Sequence, residues 1–243
     1  MDPKRREGRK EVKKNFPYAL LSVGIIYALL FVLVLIYGDN KLALFFNPAT
    51  GSIQNNYGAL FLDVFTNSLF YIGLLFLLLT FLSLIIPVWK KFRPALLSIS
   101  LSFTLTSIFV TGLKLFFNRP RPFDVFGNKI NTFGVNLPMD ASLPSGHSGN
   151  SMALAASIGL NTKKVWWWII PLFLALLMAF TRLYFGFHFL SDVIVGGIIG
   201  LIMAYLSQLL ITKLYEKKVM SSILEWIFFL TILLAWIVLY FVA

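Results

Sequence analysis

The chain contains no cysteine and few charged residues. The absence of cysteine excludes disulfides, thiol catalysis and thiolate metal sites. Charged residues make up only 13% of the 243 positions, whereas hydrophobic residues make up 58%. A soluble domain of this length needs more polar surface than such a composition provides. The composition therefore predicts a protein that is embedded in a membrane.

Long apolar runs recur along the sequence. An α-helix needs about 20 mostly apolar residues to cross the hydrocarbon core of a bilayer. We therefore expect an all-α fold, a polytopic transmembrane helical bundle that is most simply one domain. The first run is followed by Tyr37-Gly38-Asp39 rather than by a small-residue cleavage site, so we expect a retained helix. The predicted spans are 16–38, 66–88, 94–117, 145–160, 165–185, 187–211 and 220–243.

The positive charge is distributed unevenly, although the net charge is +11. Fifteen of the 21 basic residues lie in the segments 1–14, 89–94, 161–164 and 212–218, which alternate with the predicted spans. The positive-inside rule assigns these segments to the cytoplasmic face, where they also attract anionic lipid head groups. This distribution predicts a multi-pass protein of the cell membrane with a basic cytoplasmic segment over 1–15, and it does not require nucleic acid as a partner.

The other six basic residues fall on the outer face, where membrane orientation gives no reason for them. They are Lys41, Lys114, Arg119, Arg121, Lys129 and Arg182, and both histidines, His147 and His188, also map to outer ends of spans. Snorkelling explains Lys114 or Arg182 taken singly, but not the convergence of the whole group. Such a cluster repels metal cations and suits an anion, because guanidinium groups match phosphate oxygens. We predict a phosphate site with no metal.

The segment Pro144-Ser145-Gly146-His147 stands where the fourth predicted span begins. The first turn of a helix has free backbone N–H groups and a partial positive charge, so it binds anions. Gly146 lets the backbone approach a ligand closely, and the Ser145 hydroxyl either caps the helix or touches the ligand. We expect a phosphate cradle here, with His147 beside it.

A second motif, Thr-Arg-Leu-Tyr-Phe-Gly-Phe-His-Phe-Leu-Ser-Asp, covers residues 181–192. His188 and Asp192 are four residues apart and share one helical face, so the carboxylate can fix the tautomer of the imidazole. A turn at Gly186 would allow Arg182 and His188 to face the same pocket. The motif therefore predicts an activated histidine next to the phosphate cradle.

Together these residues resemble the type 2 phosphatidic acid phosphatases, which share their site with vanadium haloperoxidases. The family pattern is Lys-x6-Arg-Pro, then Pro-Ser-Gly-His, then Ser-Arg-x5-His-x3-Asp. This chain has Lys114 with Arg121-Pro122, then 144–147, then Arg182, His188 and Asp192 at the same spacings, with Thr181 in place of the serine. The resemblance covers about residues 60–211. The family core has six helices, which implies a phosphatase domain over 16–219 and an additional span over 220–243.

The resemblance also implies a mechanism without cofactors. His188, oriented by Asp192, attacks phosphorus and forms a phosphohistidine, and His147 protonates the leaving oxygen. Lys114, Arg121, Arg182 and the backbone of Ser145 and Gly146 hold the phosphate oxygens. Arg119 lies outside the matched positions and either contacts substrate or faces solvent.

We therefore expect an integral-membrane lipid phosphatase that acts on a terminal phosphate at the outer face. A polyprenyl diphosphate or phosphatidylglycerophosphate is favoured as substrate, and the sequence does not indicate an oligomeric state. A vanadate-dependent haloperoxidase would share these residues on a soluble helical scaffold. An anion-selective transporter would need charges spread through the membrane depth, whereas only Asp63 adds to the outer cluster.

Overall fold

The computed structural model describes residues 23–47, 52, 56–162 and 166–242, which contain helices and no strand. This confirms the all-α prediction. The basic segment 1–15, the start of the predicted span 16–38, and Lys163 and Lys164 lie outside the described residues. The α-helices are α1 (Val23–Tyr37), α2 (Asp39–Phe46), α3 (Tyr57–Ile85), α4 (Arg93–Phe117), α5 (Pro122–Phe126), α6 (Gly146–Asn161), α7 (Trp166–Tyr184), α8 (Leu190–Glu216) and α9 (Ser222–Val242).

Five segments of the described chain are long and apolar enough to cross a membrane. They are α3, the segment Pro87–Lys129 that contains α4, and most or all of α7, α8 and α9. α1 and α2 supply a sixth crossing only if the pair forms one broken span, because the two helices are bent by 107°. The bend occurs at Gly38, whose positive φ of 75° suits glycine.

α6 covers almost the same residues as the short span predicted over 145–160. It has 16 residues, which gives a length of about 24 Å against a hydrocarbon core of roughly 30 Å. Its first turns carry the polar residues Ser148, Asn150 and Ser151, and it packs against α4, α7 and α8. α6 is therefore a core helix whose neighbours, rather than lipid, satisfy its polar groups.

Glycines bring α6 and α8 into close contact. A Cβ atom on Gly200 would lie 2.1 Å from the carbonyl oxygen of Gly149, and one on Gly196 would lie 2.3 Å from the carbonyl oxygen of Ser145. Small residues commonly allow helix backbones to approach in this way in membranes. The contact fixes Ser145, immediately before α6, beside the first turns of α8.

Polar side chains set the relative directions of the core helices. Asn150 Nδ2 donates to Ser107 Oγ at 3.0 Å, and Asn161 Nδ2 donates to Ser98 Oγ at 3.0 Å and to Gln208 Oε1 at 2.8 Å. Polar groups within a membrane need such partners because lipid supplies none. α6 consequently runs antiparallel to α4 and parallel to α8. The end of α4 and the beginnings of α6 and α8 meet at one end of the bundle.

The contact between α6 and α8 gives the first prediction. Gly200→Ala should lower the thermal stability of the detergent-solubilised protein, because the new methyl group meets backbone atoms that cannot rotate away. Overpacking of this kind costs about 1–3 kcal/mol. Gly112→Ala on α4 is the matched control, since a Cβ there meets nothing within 4 Å. Its unfolding temperature should stay unchanged or rise, because alanine is the better helix former. Equal unfolding temperatures for the two variants would contradict this packing.

Candidate active site

A cavity of about 580 Å³ lies where the end of α4 meets the beginnings of α6 and α8. Asp63 and Thr66 of α3 also line it, as do residues of the loop between α5 and α6. The structure thus brings three distant motifs of the sequence to one place. The predicted site residues on its walls are Lys114, Arg121, Gly146, His147, Arg182 and His188.

His188 precedes α8 and is oriented from both sides of its ring. Nδ1 lies 3.7 Å from Asp192 Oδ2, and Nε2 lies 3.2 Å from Arg121 Nη1. A guanidinium group only donates hydrogen bonds, so Nε2 must be the accepting nitrogen. This assignment puts the ring proton on Nδ1, towards the Asp192 carboxylate. The lone pair of Nε2 then accepts a hydrogen bond from Arg121 at the cavity wall.

The imidazole of His188 is buried, with 3% of the residue exposed. Burial lowers the pKa of His188 to about 4, and the nearby Arg121 guanidinium acts in the same direction, while the hydrogen bond with Asp192 opposes them. A histidine with this pKa is neutral at pH 7. Neutrality is what a nucleophilic ring nitrogen requires.

Asp192 is fully buried, and three donors fix its carboxylate. Oδ2 accepts hydrogen bonds from Ser142 Oγ at 2.5 Å and from the Phe189 backbone N–H at 2.8 Å. Oδ1 accepts a hydrogen bond from Arg119 Nη1 at 2.6 Å. The Asp192 backbone carbonyl also accepts a hydrogen bond from the Ser145 N–H at 3.0 Å. Asp192 therefore connects the start of α8 to the start of α6 and to the loop before it.

Arg119 lies behind Asp192 and is not among the residues that line the cavity. Its Nη2 donates to Asp39 Oδ2 at 2.9 Å, its Nη1 also donates to Ser191 Oγ at 2.7 Å, and the guanidinium covers the Phe189 ring at 4.0 Å. The sequence left open whether Arg119 contacts substrate or faces solvent. In the structure it is held between the carboxylates of Asp39 and Asp192, away from the cavity wall, with 27% of its side chain exposed.

Asp140 bridges the two cations of the first motif. Arg121 Nη2 donates to Asp140 Oδ1 at 2.6 Å, and Lys114 Nζ contacts the other carboxylate oxygen. Burial alone would raise the pKa of Asp140, but Lys114 and Arg121 hold it below its usual value. Arg121 also donates to the Phe187 carbonyl at 2.8 Å. An anion that binds both cations must therefore share them with Asp140 or replace it.

Arg182 is held by hydroxyl groups. Its Nη2 donates to Thr66 Oγ1 at 2.5 Å, and its Nε donates to Thr181 Oγ1 at 3.0 Å. Thr181 stands where the family pattern has serine, and its hydroxyl also donates to the Met178 carbonyl. The hydroxyl that the two residue types share thus makes the contact that positions Arg182.

The start of α6 lies against the same cavity. Ser145 is fully buried, and its hydroxyl accepts hydrogen bonds from the Ser148 backbone N–H at 3.4 Å and from Ser148 Oγ at 3.1 Å. Of the two roles considered for Ser145, its side chain performs helix capping. Gly146 and His147 line the cavity. The backbone at the beginning of α6 therefore borders the space between the cationic side chains.

Sequence reasoning missed four residues that hold the site together: Asp39, Thr66, Asp140 and Ser142. No fixed spacing links them to the motifs, because they reach the site from α2, from α3 and from the loop before α6. One signal was available for the two aspartates. The chain has only ten acidic residues against 21 basic ones, so acidic residues in outer segments deserved pairing with the outer cations.

Among the described residues, no three histidine, aspartate or glutamate side chains group closely enough to hold a metal ion. The cavity is lined instead by three nitrogen cations and two imidazoles, with the carboxylates of Asp63 and Asp140 beside them.

A family model described as the PAP2 superfamily matches residues 95–216, which is half of the chain. The chain belongs to the PAP2 superfamily. The matched segment contains Lys114, Arg121, Ser145–His147, Arg182, His188 and Asp192. α1, α2 and α3 precede the PAP2 match and α9 follows it.

Three known proteins extend the comparison. An undecaprenyl-diphosphatase of Sulfolobus acidocaldarius is 32% identical over 124 residues, which cover 49% of this chain and 57% of that protein. The crystal structure of Aquifex aeolicus LpxE is 29% identical and has a TM-score of 0.53, over 70% of this chain and 93% of that one. A transmembrane PAP2-type phosphatidylglycerolphosphate phosphatase from Bacillus subtilis has a TM-score of 0.58 over 84% of this chain and 98% of its own. It is 19% identical, so this likeness concerns the fold alone.

The environment of His188 gives the second prediction. His147→Gln leaves His188 as the single histidine of the chain, so ¹⁵N-histidine labelling yields one imidazole signal. We expect a neutral ring with its proton on Nδ1 from pH 8 down to pH 5, and protonation as the pH falls through about 4. An unperturbed histidine protonates near pH 6.5. A midpoint close to 6.5, or a proton on Nε2, would contradict the arrangement with Asp192 and Arg121.

Proposed function

We propose that this protein is an integral-membrane lipid phosphatase that removes a terminal phosphate from a lipid phosphate or diphosphate. One observation carries the proposal. Two histidines and three cationic side chains line a single cavity, and His188 directs its accepting nitrogen towards that cavity beside Arg121. The membership in PAP2 and the membrane-spanning helices support this function over that of a soluble oxidase.

The proposed reaction has two steps. His188 Nε2 attacks phosphorus and forms a P–N bond while the P–O bond to the lipid breaks, and His147 donates a proton to the leaving oxygen. Water then attacks the phosphohistidine, gives a proton to His147 and releases inorganic phosphate as the P–N bond breaks. No metal takes part. Lys114, Arg121, Arg182 and the backbone N–H groups at the start of α6 stabilise the charge on the phosphate oxygens.

Asp192 and Arg119 act through His188 in this proposal. The Asp192 carboxylate keeps the proton on Nδ1 and stabilises positive charge on the ring during attack. Arg119 holds Asp192 at 2.6 Å from behind. It is a positioning residue with no substrate contact.

For the substrate we favour a polyprenyl diphosphate or phosphatidylglycerophosphate. The support for the diphosphate comes from the name of one similar protein, the Sulfolobus undecaprenyl-diphosphatase. Both compounds offer a terminal phosphate on an apolar tail. The cavity residues contact the phosphate alone and do not separate the two.

We further propose that the site faces outward from the cell membrane and that the N-terminus is cytoplasmic. The described basic residues Lys90, Lys91, Lys213 and Lys217 lie at the end of the bundle opposite the cavity, which fits the positive-inside rule. Arg93 contributes less to orientation than the sequence suggests. It is buried and pairs with Glu225 at 2.8 Å.

The orientation gives the third prediction, and the absence of native cysteine makes the test clean. Met139→Cys lies in the loop beside the cavity and is fully exposed, and Lys217→Cys lies after α8 at the opposite end. An impermeant thiol reagent added to intact cells should label Met139→Cys, and it should label Lys217→Cys only after lysis. The reverse pattern would overturn the orientation and the outward-facing site together.

The fourth prediction separates the roles of the two histidines. His188→Ala should lose turnover and any trapped phosphoenzyme, because it lacks the nucleophile. His147→Ala should be slowed about 10²–10⁴-fold on a lipid substrate, the usual size of general acid catalysis. It should still form phosphoenzyme from an aryl phosphate, whose leaving group departs with little help. Rapid-quench trapping with a ³²P-labelled aryl phosphate measures the phosphoenzyme in both variants, and phosphate release from a lipid substrate measures their turnover.

All of these assays contain excess chelator, so a strict need for an added divalent ion would refute the metal-free mechanism. Asp192→Asn serves as a folded control that retains a side chain of the same shape but should react slowly. Phosphoenzyme in His188→Ala, together with none in His147→Ala, would reverse the assignment.

A further inference from the structure

A second cavity, of about 520 Å³, adjoins the first on the membrane side of Lys114. Four residues line both cavities: Lys114, Asp140, Gly146 and His147. His188, Arg121 and Arg182 line only the first. The two cavities are thus adjacent and share the groups that border the start of α6, and they differ in their other lining residues.

Apolar side chains form most of the second cavity. Phe70 of α3, Phe103 and Val110 of α4, and Trp236 and Leu239 of α9 contribute to its wall. One end of this space therefore carries Lys114 and His147 together with the Asp140 carboxylate. The rest is mainly hydrocarbon and aromatic surface, with the polar side chains of Ser107, Thr111 and Asn150 along α4 and α6. An amphiphile with an anionic head matches that distribution.

The position of His147 gives the direction of the ligand. In an in-line displacement at phosphorus the leaving oxygen departs opposite the nucleophile. His188, the proposed nucleophile, borders only the first cavity, whereas His147, the proposed donor to the leaving oxygen, borders both. The leaving oxygen, next to His147, would therefore lie on the side of the second cavity. The carbon chain attached to that oxygen continues into it.

α9 is firmly attached to the bundle, although it lies outside the segment that matches PAP2. Near its first turn, Glu225 accepts hydrogen bonds from Arg93 at 2.8 Å and from the Tyr215 hydroxyl at 2.7 Å. Burial of this pair makes it costly to break, because separation would leave a charge without a partner. α9 is thereby held at the end of the bundle opposite the cavities.

Trp236 fixes the other half of α9 against the cavity. Its ring stacks on Phe103 with the centroids 5.3 Å apart and lies 5.8 Å from the Phe70 ring. It occupies a notch at Gly73, where a Cβ atom would come within 2.6 Å of the indole. Any larger residue at position 73 would displace the indole from the wall.

We propose that α9 completes a binding site for the hydrocarbon tail of the substrate and that Trp236 determines which tails are accepted. This inference rests on the proposed function. The ligand is the part of the tail next to the phosphate, and the chemistry is shared by isoprenoid and acyl chains. α9 is then a specificity element added to the PAP2 segment.

The fifth prediction compares Trp236→Ala with Leu234→Ala, a control on the exposed face of α9 where the side chain is 62% exposed. The substrates are a long isoprenyl diphosphate, a diacyl lipid phosphate and a tail-free aryl phosphate. Trp236→Ala should lower kcat/KM about 10-fold or more for a tailed substrate, as expected when an apolar pocket loses contacts. It should leave the aryl phosphate within about 2-fold of wild type. Leu234→Ala should match wild type on all three substrates.

A second variant tests the tail site even if Trp236→Ala does not fold. Leu239→Trp narrows the cavity from α9 without removing the Trp236 contacts, and it too should slow tailed substrates while sparing the aryl phosphate. The two tailed substrates report whether the site favours isoprenoid or acyl chains, and a selective effect on either one supports the inference.

Two results would overturn the tail site alone. One is an unchanged preference for tails in both variants. The other is a loss of equal size on the aryl phosphate and the lipids. Failure of the proposed function looks different, since wild-type protein would then release no phosphate from any of the lipids.

Discussion

The buried carboxylate of Asp192 is the group on which the arrangement of the site depends. An unpaired carboxylate in such an environment is strongly unfavourable, so the chain must bring donors to it. Those donors come from separate parts of the fold: Arg119 after α4, Ser142 before α6 and the Phe189 backbone at α8. Satisfying one charge therefore brings three segments together. Arg119 also donates a hydrogen bond to Asp39 of α2, so the same buried charge helps to hold a fourth segment in place.

The bilayer explains why α6, the helix that carries the phosphate cradle, lies inside the bundle. Its opening residues are too polar and its length too short for contact with hydrocarbon. α4 supplies hydroxyl partners, such as Ser107 for Asn150, and the glycines of α8 allow the close approach that excludes lipid. The backbone direction at the proposed cradle is therefore set by packing along the helix rather than by a loop.

The sequence predicted the helical fold and the residues that converge on the cavity, because each motif has fixed spacing and a distinct chemical character. His188 and Asp192 were paired by their four-residue separation, although His188 precedes α8 and does not share a helical face with Asp192. Gly186, with φ of 65°, makes the turn expected between α7 and α8. Apolar length alone could not distinguish a core helix from a lipid-facing one, so the short span over 145–160 did not reveal that α6 lies inside the bundle. Asp39 and Asp140 were missed because their partners are distant in the sequence: Arg119 lies 80 residues from Asp39, and Arg121 lies 19 residues from Asp140. Only the fold determines which residues meet across such separations.

The three cations at the cavity differ in the groups that hold them. Lys114 and Arg121 already share the carboxylate of Asp140, so their attraction for phosphate is reduced by the anion beside them. The hydrogen bonds that hold Arg182 come from the hydroxyls of Thr66 and Thr181, which are neutral. Among the described residues no carboxylate forms an ion pair with Arg182, although Asp63 lines the same cavity, whereas Lys114 and Arg121 are both paired with Asp140. A phosphate that binds as proposed must share Lys114 and Arg121 with Asp140 or displace it, so the strength of that binding would depend on Asp140 as well as on the cations.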